Sequence, residues 1–262
     1  MRVTVLASGS EGNATLFESE RTRVLVDAGI GPRNLEIATQ GRHPHAVIVT
    51  HAHQDHVGHA ERIARRLRIP VYVTPSVQRL VPMKRTTDVR PYSPRTPFGI
   101  GSLVVHPAPV PHDSAQVALV VSDGARSAGI VTDLGEIPGH LPDHLRSCDV
   151  LLIESNYDDH LLNSGPYPWF LKKRMLSARG HLSNEQTHAL LRRLPKRTHT
   201  VVLVHLSRTN NTQELALACA RDALSGRKVR LLAAPPRGAL DIECDDPRAE
   251  RVRAVQLSLG FA

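Results

Sequence analysis

Three histidines and one aspartate occur within six residues, in the segment Thr50-His51-Ala52-His53-Gln54-Asp55-His56. Imidazole and carboxylate groups are the ligands that zinc, manganese and iron take from proteins. The apolar run 46–50 just before them predicts a buried strand, and in extended chain His51 and His53 point to the same side. Asp55 and His56 follow at the start of a predicted helix, where they can face a second ion. The spacing therefore predicts a metal site at a strand end rather than a solvated turn.

Three more ligand-type residues end predicted strands further along the chain: His112, Asp133 and His205. Singly, a histidine in such a position is more often a core or capped residue than a ligand, and an aspartate before Leu-Gly is often just a turn former. Their common placement at strand ends indicates that they converge on the same site as the histidine cluster.

The elements that must position these residues fall into two β-rich halves, each followed by helices. Strands are predicted over 3–7, 23–27, 46–50, 70–74, 102–106, 149–154, 200–205, 228–233, 238–243 and 252–257, with a hairpin of 116–122 and 127–132 around Asp123-Gly124. Helices are predicted over 57–68, 157–162, 168–177, 184–194 and 213–225, and short helix and loop over 76–98. Ser183 and Gln186 form a capping-box pattern. This order predicts an α/β fold, an αββα sandwich of two mixed β-sheets flanked by helices, in one domain over 1–262.

Composition narrows the class of protein. The net charge of +8 and pI of about 9.9 favour polyanionic partners, although a solvated arginine-rich surface explains them equally well. Aromatic residues make up only 3%, which argues against a base-stacking platform. Cys148, Cys219 and Cys244 are far apart and predict neither a disulfide framework nor a thiolate zinc site. We expect no membrane segment and no signal peptide, hence a cytoplasmic protein.

The string His-Ala-His-Gln-Asp-His resembles the HxHxDH signature of the metallo-β-lactamase superfamily. The three strand-end residues resemble its later metal motifs in order. Asp27 in Leu-Val-Asp-Ala-Gly resembles its first motif, and the resemblance implies that this aspartate supports the metal ligands without binding the metal itself. The resemblance implies the αββα sandwich. It disfavours antibiotic hydrolysis, because β-lactamases of this fold commonly carry cysteine where Asp133 stands.

The same resemblance implies two divalent ions per chain, Zn²⁺ or Mn²⁺, with iron as a further option. His51, His53 and His112 would hold one ion, Asp55, His56 and His205 the other, and Asp133 would bridge them. Two such ions can share a hydroxide that becomes nucleophilic near neutral pH.

Further strings resemble the YycJ-like (WalJ-like) hydrolases of this superfamily: 6–10 with 12–15, Glu154-Ser-Asn-Tyr-Asp158, 165–169, 179–184 and 205–211. This resemblance implies a 5′→3′ exonuclease acting on double-stranded DNA, with Asp55 and His181 as catalytic residues and His181 as the general acid. The stretch of about seventy residues between Asp133 and His205 has no room for a large nucleic-acid clamp domain. Any grip on DNA must come from the sandwich itself or from a second copy in a homo-oligomer.

Six residues are candidate phosphate contacts: Ser8, Ser10 and Asn13 in a glycine-containing turn, and Arg179, Arg208 and Asn210. An ordinary polar turn and a solvated surface explain them equally well. Two other functions stay open. One is a small-molecule hydrolase, such as a cyclic phosphodiesterase, lactonase or thioesterase, and the other is a non-enzymatic binding module, against which the complete set of seven ligand-type residues argues.

Overall fold

The computed structural model describes residues 1–85, 88–235 and 238–245. The strands are β1 (Arg2–Ala7), β2 (Ala14–Glu18), β3 (Arg23–Val26), β4 (Ala46–Ile48), β5 (Val71–Val73), β6 (Val89–Pro91), β7 (Phe98–Ile100), β8 (Leu103–Val110), β9 (Gln116–Ser122), β10 (Ser127–Val131), β11 (Val150–Glu154), β12 (Thr200–Val204), β13 (Arg230–Ala233) and β14 (Leu240–Glu243). The helices are α1 (Pro32–Thr39), α2 (Gln54–Val57), α3 (Ala60–Leu67), α4 (Pro75–Leu80), α5 (Leu141–His144), α6 (Asp159–Ser164), α7 (Trp169–Met175), α8 (Asn184–Leu191) and α9 (Gln213–Ala223).

The strands form two seven-stranded mixed sheets. The first has the order β14-β1-β2-β3-β4-β5-β6, and the second has the order β13-β12-β11-β10-β9-β8-β7. In the first sheet, the pairs from β14 to β3 are antiparallel and those from β3 to β6 are parallel. The second sheet repeats this pattern, because β13 to β10 are parallel and β10 to β7 antiparallel. Both sheets thus bring several parallel strands to a common edge.

Alternating side chains divide the apolar core into layers. Val24 and Val26 of β3 pack with Leu152 of β11 in a cluster that joins the two sheets. The intervening Leu25 belongs instead to a cluster with α1 and α3, and Leu151 belongs to a cluster with α8 and α9. Because successive strand residues point to opposite faces, this pattern builds helix, sheet, sheet and helix layers. The predicted αββα sandwich is confirmed.

The structure confirms some of the helices, turns and caps that were predicted from local sequence and corrects others. The hairpin of β9 and β10 and the capping box of Ser183 and Gln186 are confirmed. The predicted helix 57–68 is wrong at its start, because α2 and α3 are separate. The carbonyl of His56 and the N–H of His59 pair with the backbone of Ala28, at 2.6 and 2.9 Å, and not within one helix. The strand predicted over 252–257 lies outside the described residues.

Five elements were not predicted: β2, β6, β7, α1 and α5. β6 and β7 have three residues each and α5 has four, too few to display a period. In α1 only Leu35 and Thr39 are buried, so its apolar stripe is weak. Along the part of the chain that the structure describes, no helix has the length and apolar character that a bilayer crossing requires.

Candidate metal centre

The histidine segment enters the site directly after β4. His51 and His53 lie in the loop between β4 and α2, while Asp55 and His56 lie in α2 itself. The ring centroid of His51 is 4.7 Å from that of His53 and 4.2 Å from that of His56. His51 and His56 are fully buried, whereas His53 and Asp55 retain some exposure. The segment therefore gathers its imidazoles on the inner side of the turn.

The second sheet contributes the other ligand-type residues from the carboxyl ends of its strands. His112 follows β8, Asp133 follows β10 and His205 follows β12. Asp133 and His205 both have a left-handed backbone with φ of 55°, and Asp27 at the end of β3 has φ of 61°. This conformation is uncommon for residues other than glycine and is often concentrated at functional sites. Each of these three residues lies just after a strand, and their side chains contact His56 or other candidate ligands.

These seven residues form three overlapping groups of candidate ligands. The groups are His51, His53 and His112; Asp55, His56 and His205; and His51, His56 and Asp133. Within each group the ligand atoms all lie within 4.8 Å of one another. The structure therefore brings together every residue that the sequence singled out as a metal ligand. The assignment of each to a particular ion stays a prediction.

The donor set fits divalent cations. His51 Nε2, His205 Nε2 and Asp133 Oδ2 are buried and have no hydrogen-bond partner among the residues that the structure describes. Buried polar atoms are normally satisfied, because leaving one unpaired costs about 1–3 kcal/mol. Nitrogen and oxygen atoms that converge in this way are suited to bind zinc, manganese or iron.

Asp27 orients His56 from outside the ligand groups. Its Oδ2 is 2.7 Å from His56 Nδ1, and its Oδ1 accepts a hydrogen bond from the N–H of Thr50 at 2.9 Å. Nδ1 therefore donates to Asp27, and Nε2 points into the site. Burial would lower the pKa of His56, but the carboxylates of Asp133 and Asp27 outweigh it and raise that pKa to about 10. The surrounding negative charge thus favours a cation at this position.

Burial lowers the pKa of two histidines on the other side of the centre. It lowers the pKa of His51 well below the usual value, and it also lowers the pKa of His112. His112 Nδ1 donates to the carbonyl oxygen of Gly180 at 3.0 Å, which directs Nε2 towards His53. Neutral imidazoles with one nitrogen fixed in this way are the form that binds metal.

Glu154 is a site residue to which the sequence analysis assigned no role. It ends β11, is fully buried, and its Oε1 lies 2.7 Å from Nδ1 of His181 and 2.9 Å from Nδ1 of His205. Burial would raise the pKa of Glu154, but the two histidines lower it. A signal was available, since Glu154 ends a buried strand between β10 and β12, as Asp133 and His205 end theirs.

His181 lies at the edge of the ligand cluster and is partly exposed. Burial would lower the pKa of His181, but the carboxylate of Glu154 raises it. His181 therefore favours its protonated form and can donate a proton to a group bound at the cluster.

Asp113 and Arg174 form a second contact that the sequence did not predict. Asp113 Oδ1 is 3.0 Å from Nε2 of His53, and its Oδ2 accepts from Nε and Nη2 of Arg174 at 2.7 and 2.6 Å. This ion pair connects α7 to the histidine segment. It also places a cationic side chain beside the candidate metal centre.

The turn after β1 contacts the candidate ligand residues. Ser8 Oγ accepts a hydrogen bond from the N–H of His205 at 2.7 Å. Asn13 is buried, with Nδ2 3.2 Å from Oδ2 of Asp55 and 2.8 Å from Nε2 of His56. The Asn13 side chain thus faces the candidate ligand residues, and its contact with phosphate stays a prediction. Ser10 is exposed at the pocket.

The other three predicted phosphate contacts have different surroundings in the structure. Asn210 is fully buried, so the prediction is corrected for this residue. Arg208 forms an ion pair with Glu11. Arg179 is exposed, two residues before His181.

A pocket of about 260 Å³ opens onto the cluster. Its walls include Ser10, His53, Asp55, Asp133, Asn156, Tyr167, Leu171, Arg174, Met175, His181 and His205. Four of the candidate ligands, the His181 side chain and residues of α7 therefore face a common volume, while His51, His56 and His112 lie behind it.

Comparison with known proteins identifies the family. The family model described as a β-lactamase superfamily domain matches residues 22–206, a range that includes every candidate ligand. The chain belongs to the metallo-β-lactamase superfamily. An exodeoxyribonuclease WalJ of Streptococcus pneumoniae is 32% identical over 229 residues, which cover 82% of this chain and 85% of that protein. An exodeoxyribonuclease YycJ of Bacillus anthracis is 29% identical over 227 residues, 82% of this chain and 86% of that protein.

Solved structures of the superfamily share the architecture. The metallo-β-lactamase fold protein YhfI of Bacillus subtilis has a TM-score of 0.72 at 19% identity, covering 92% of this chain and 99% of that one. The short form of human tRNase Z has a TM-score of 0.66 at 16% identity, covering 94% and 100%. The predicted resemblance to WalJ-like proteins of the metallo-β-lactamase superfamily is confirmed, and the chain is a metal-dependent hydrolase.

Proposed function

We propose that this hydrolase is a two-metal phosphodiesterase that removes nucleotides from the 5′ ends of double-stranded DNA. The observation that carries the proposal is that His181, held by Glu154, lines the same pocket as four of the seven candidate ligands, His53, Asp55, Asp133 and His205. Such a pocket combines a site for ions with a proton donor. The names of the two exodeoxyribonuclease relatives support DNA as the substrate.

The ligand groups suggest how the ions would be held. His51, His53 and His112 would bind one, Asp55, His56 and His205 the other, with Asp133 between them. Bound zinc, manganese or iron would make water nucleophilic near neutral pH and stabilise the negative charge of the phosphodiester.

The side chains around the pocket can move the protons of hydrolysis. A water oxygen attacks phosphorus, and the bond from phosphorus to the 3′ oxygen of the departing nucleotide breaks. His181 donates a proton to that oxygen, and Glu154 holds its Nδ1 and favours the charged form. Asp55, which faces the pocket, accepts the proton that the water loses.

Positive charge and polar groups on the rim can hold the phosphates. Arg174 lines the pocket and keeps its orientation through Asp113. Ser10 and Arg179 are exposed nearby and are candidates for phosphate contact. The net charge of +8 adds a long-range attraction for DNA.

The test is digestion of a 5′-phosphorylated linear duplex by the purified protein, with zinc, manganese or iron. We expect shortening from the 5′ end and no cleavage of a covalently closed circle of the same sequence. His51→Ala combined with Asp55→Ala should abolish digestion, whereas His160→Ala on the exposed surface of α6 should not. Intact duplexes with every metal, together with hydrolysis of a cyclic nucleotide or a lactone, would establish the small-molecule alternative instead.

A further inference from the structure

Two large aromatic side chains lie exposed at the start of α7. Trp169 is 71% exposed and Phe170 is 69% exposed. Trp169 is the only tryptophan of the chain. No residue of α7 is buried, so these rings do not serve the core. Adjacent exposed aromatic residues of this size commonly mark a binding surface.

The exposed rings are continuous with the pocket at the candidate metal centre. Leu171, Arg174 and Met175 of the same helix line that pocket, and Tyr167 lines it two residues before α7 begins. Phe170 lies one helical turn from Arg174 and therefore shares its side of the helix. A ligand that fills the pocket and extends beyond it along α7 meets Phe170 and Trp169 next.

The helix is fixed in place and is strongly basic. Arg174 pairs with Asp113, and the carbonyl oxygen of Met175 accepts from the N–H of His181 at 3.2 Å. Lys172 and Lys173 add two further positive charges. Lys172 Nζ donates to the carbonyl of Asn163, and Lys173 is exposed. Aromatic faces beside positive charges match the stacked bases and phosphates of a nucleic acid.

We propose that Trp169 and Phe170 stack on the terminal base of a DNA end whose phosphate lies at the metal centre, an inference that rests on the proposed nuclease function. Inside a duplex both faces of every base are covered by neighbouring bases. Only an end exposes a face to a protein ring. Trp169 and Phe170 therefore select ends over internal positions, which is the property that makes a nuclease an exonuclease. Low aromatic content is no obstacle, because two rings at the rim suffice.

The fluorescence of Trp169 itself can report the proposed stacking. The purified full-length protein, with the metal that it carries, is titrated with a linear 5′-phosphorylated duplex whose end linkages are phosphorothioates. Tryptophan emission is read with unlabelled DNA, and binding is read in parallel by anisotropy of a labelled copy. We expect the emission to fall and to saturate at the same DNA concentration as the anisotropy. A closed circle of the same sequence should leave the emission unchanged.

Variants separate stacking from general binding. Phe170→Ala and Trp169→Ala should each weaken binding of the linear duplex by a factor of roughly 5 to 150, the range of one aromatic–base stack. Trp169→Phe should restore most of it. Leu80→Ala, which removes another exposed apolar side chain (64%) from a helix that does not line the pocket, is the matched control and should change nothing.

The outcomes are distinguishable. Digestion and binding with unchanged tryptophan emission would overturn the stacking proposal and leave the nuclease function intact. Emission that varies with protein concentration, and not with DNA, would assign the rings to contact between copies and would also overturn it. Absence of digestion and of binding would refute the proposed function itself, and the stacking proposal with it.

Discussion

Glu154 contacts two histidines through one oxygen atom: Oε1 lies 2.7 Å from Nδ1 of His181 and 2.9 Å from Nδ1 of His205. Its second oxygen accepts from the N–H of Leu134 at 3.2 Å. One buried carboxylate thus holds both the proposed proton donor and a candidate metal ligand. The position of the donor relative to the metal centre is set by this residue.

Glu154→Gln should slow turnover and shift its pH dependence. Glu154 raises the pKa of His181, so its loss lowers that pKa and deprotonates the donor at lower pH. We expect kcat above neutral pH to fall roughly 10- to 100-fold and the basic limb of the kcat profile to move to lower pH. The measurement is kcat and KM across the pH range. Glu185→Gln, on the exposed first turn of α8, is the control. A basic limb that stays in place would contradict the role of Glu154.

The size of the activity loss in His181→Ala should depend on the leaving group of the substrate. We expect turnover on DNA to fall by roughly 10²- to 10⁴-fold, because a sugar oxygen needs a proton in order to leave. A p-nitrophenyl phosphodiester should be affected far less, since its phenolate leaves without one. Metal content should not change. His188→Ala is the control, as both histidine side chains are 20% exposed. Equal losses on both substrates would show that His181 is not the acid.

Asp27→Asn should weaken metal binding while the fold is retained. Asp27 fixes the ring of His56 through Nδ1, and loss of such a partner typically lowers metal affinity about 10- to 100-fold. Competition with a chelator measures the dissociation constant, and circular dichroism monitors the fold. Asp143→Asn, at an exposed position in α5, should have no effect. An unchanged dissociation constant would remove Asp27 from the support of the site.

Asp123→Asn should destabilise the protein only where Asp123 is ionised. Burial would raise the pKa of Asp123, but hydrogen bonds from the N–H groups of Arg126 and Ala125 lower it below 3.8. When the pKa of a carboxyl group is lower in the folded than in the unfolded state, its ionisation stabilises the fold at pH values above the unfolded-state pKa. This stabilisation is lost as the pH falls through the folded-state pKa. We expect a loss of about 0.5–1.5 kcal/mol in unfolding free energy at pH 7, shrinking below pH 4, by urea denaturation.

A second change in the same turn provides the comparison. Gly124 has φ of +91°, so Gly124→Ala should destabilise by about 1–2 kcal/mol at every pH. A pH-independent loss in Asp123→Asn as well would show that the charge of Asp123 plays no part.

The candidate ligands could be predicted from the sequence because they follow the ends of apolar runs that predict strands. The segment from His51 to His56 is contiguous, and Asp133 and His205 end apolar runs. Their convergence follows from parallel pairing of β10, β11 and β12, which brings the ends of these strands to one edge. Glu154 obeys the same rule. Its type and position alone do not predict a role in the site, because a single carboxylate at the end of an apolar run also fits an ordinary strand terminus.

The contacts of α7 could not be predicted in this way. Its seven residues bury no side chain, so no apolar period marks the face that borders the pocket. The ion pair of Arg174 with Asp113 joins residues 61 positions apart and depends on where the helix packs. β2 was not predicted because its sequence has only two large apolar residues, Leu16 and Phe17, side by side. It shows neither an alternating pattern nor the continuous apolar run that predicted β11 and β12.

The distribution of the ligands over both sheets has a practical consequence. His51, His53, Asp55 and His56 follow a strand of the first sheet, while His112, Asp133 and His205 follow strands of the second. Cutting the polypeptide between β6 and β7 would give two fragments, neither of which has a full set of ligands. Hydrolysis would then return only on reassembly, so the two fragments would make a split reporter whose signal is the hydrolytic activity itself.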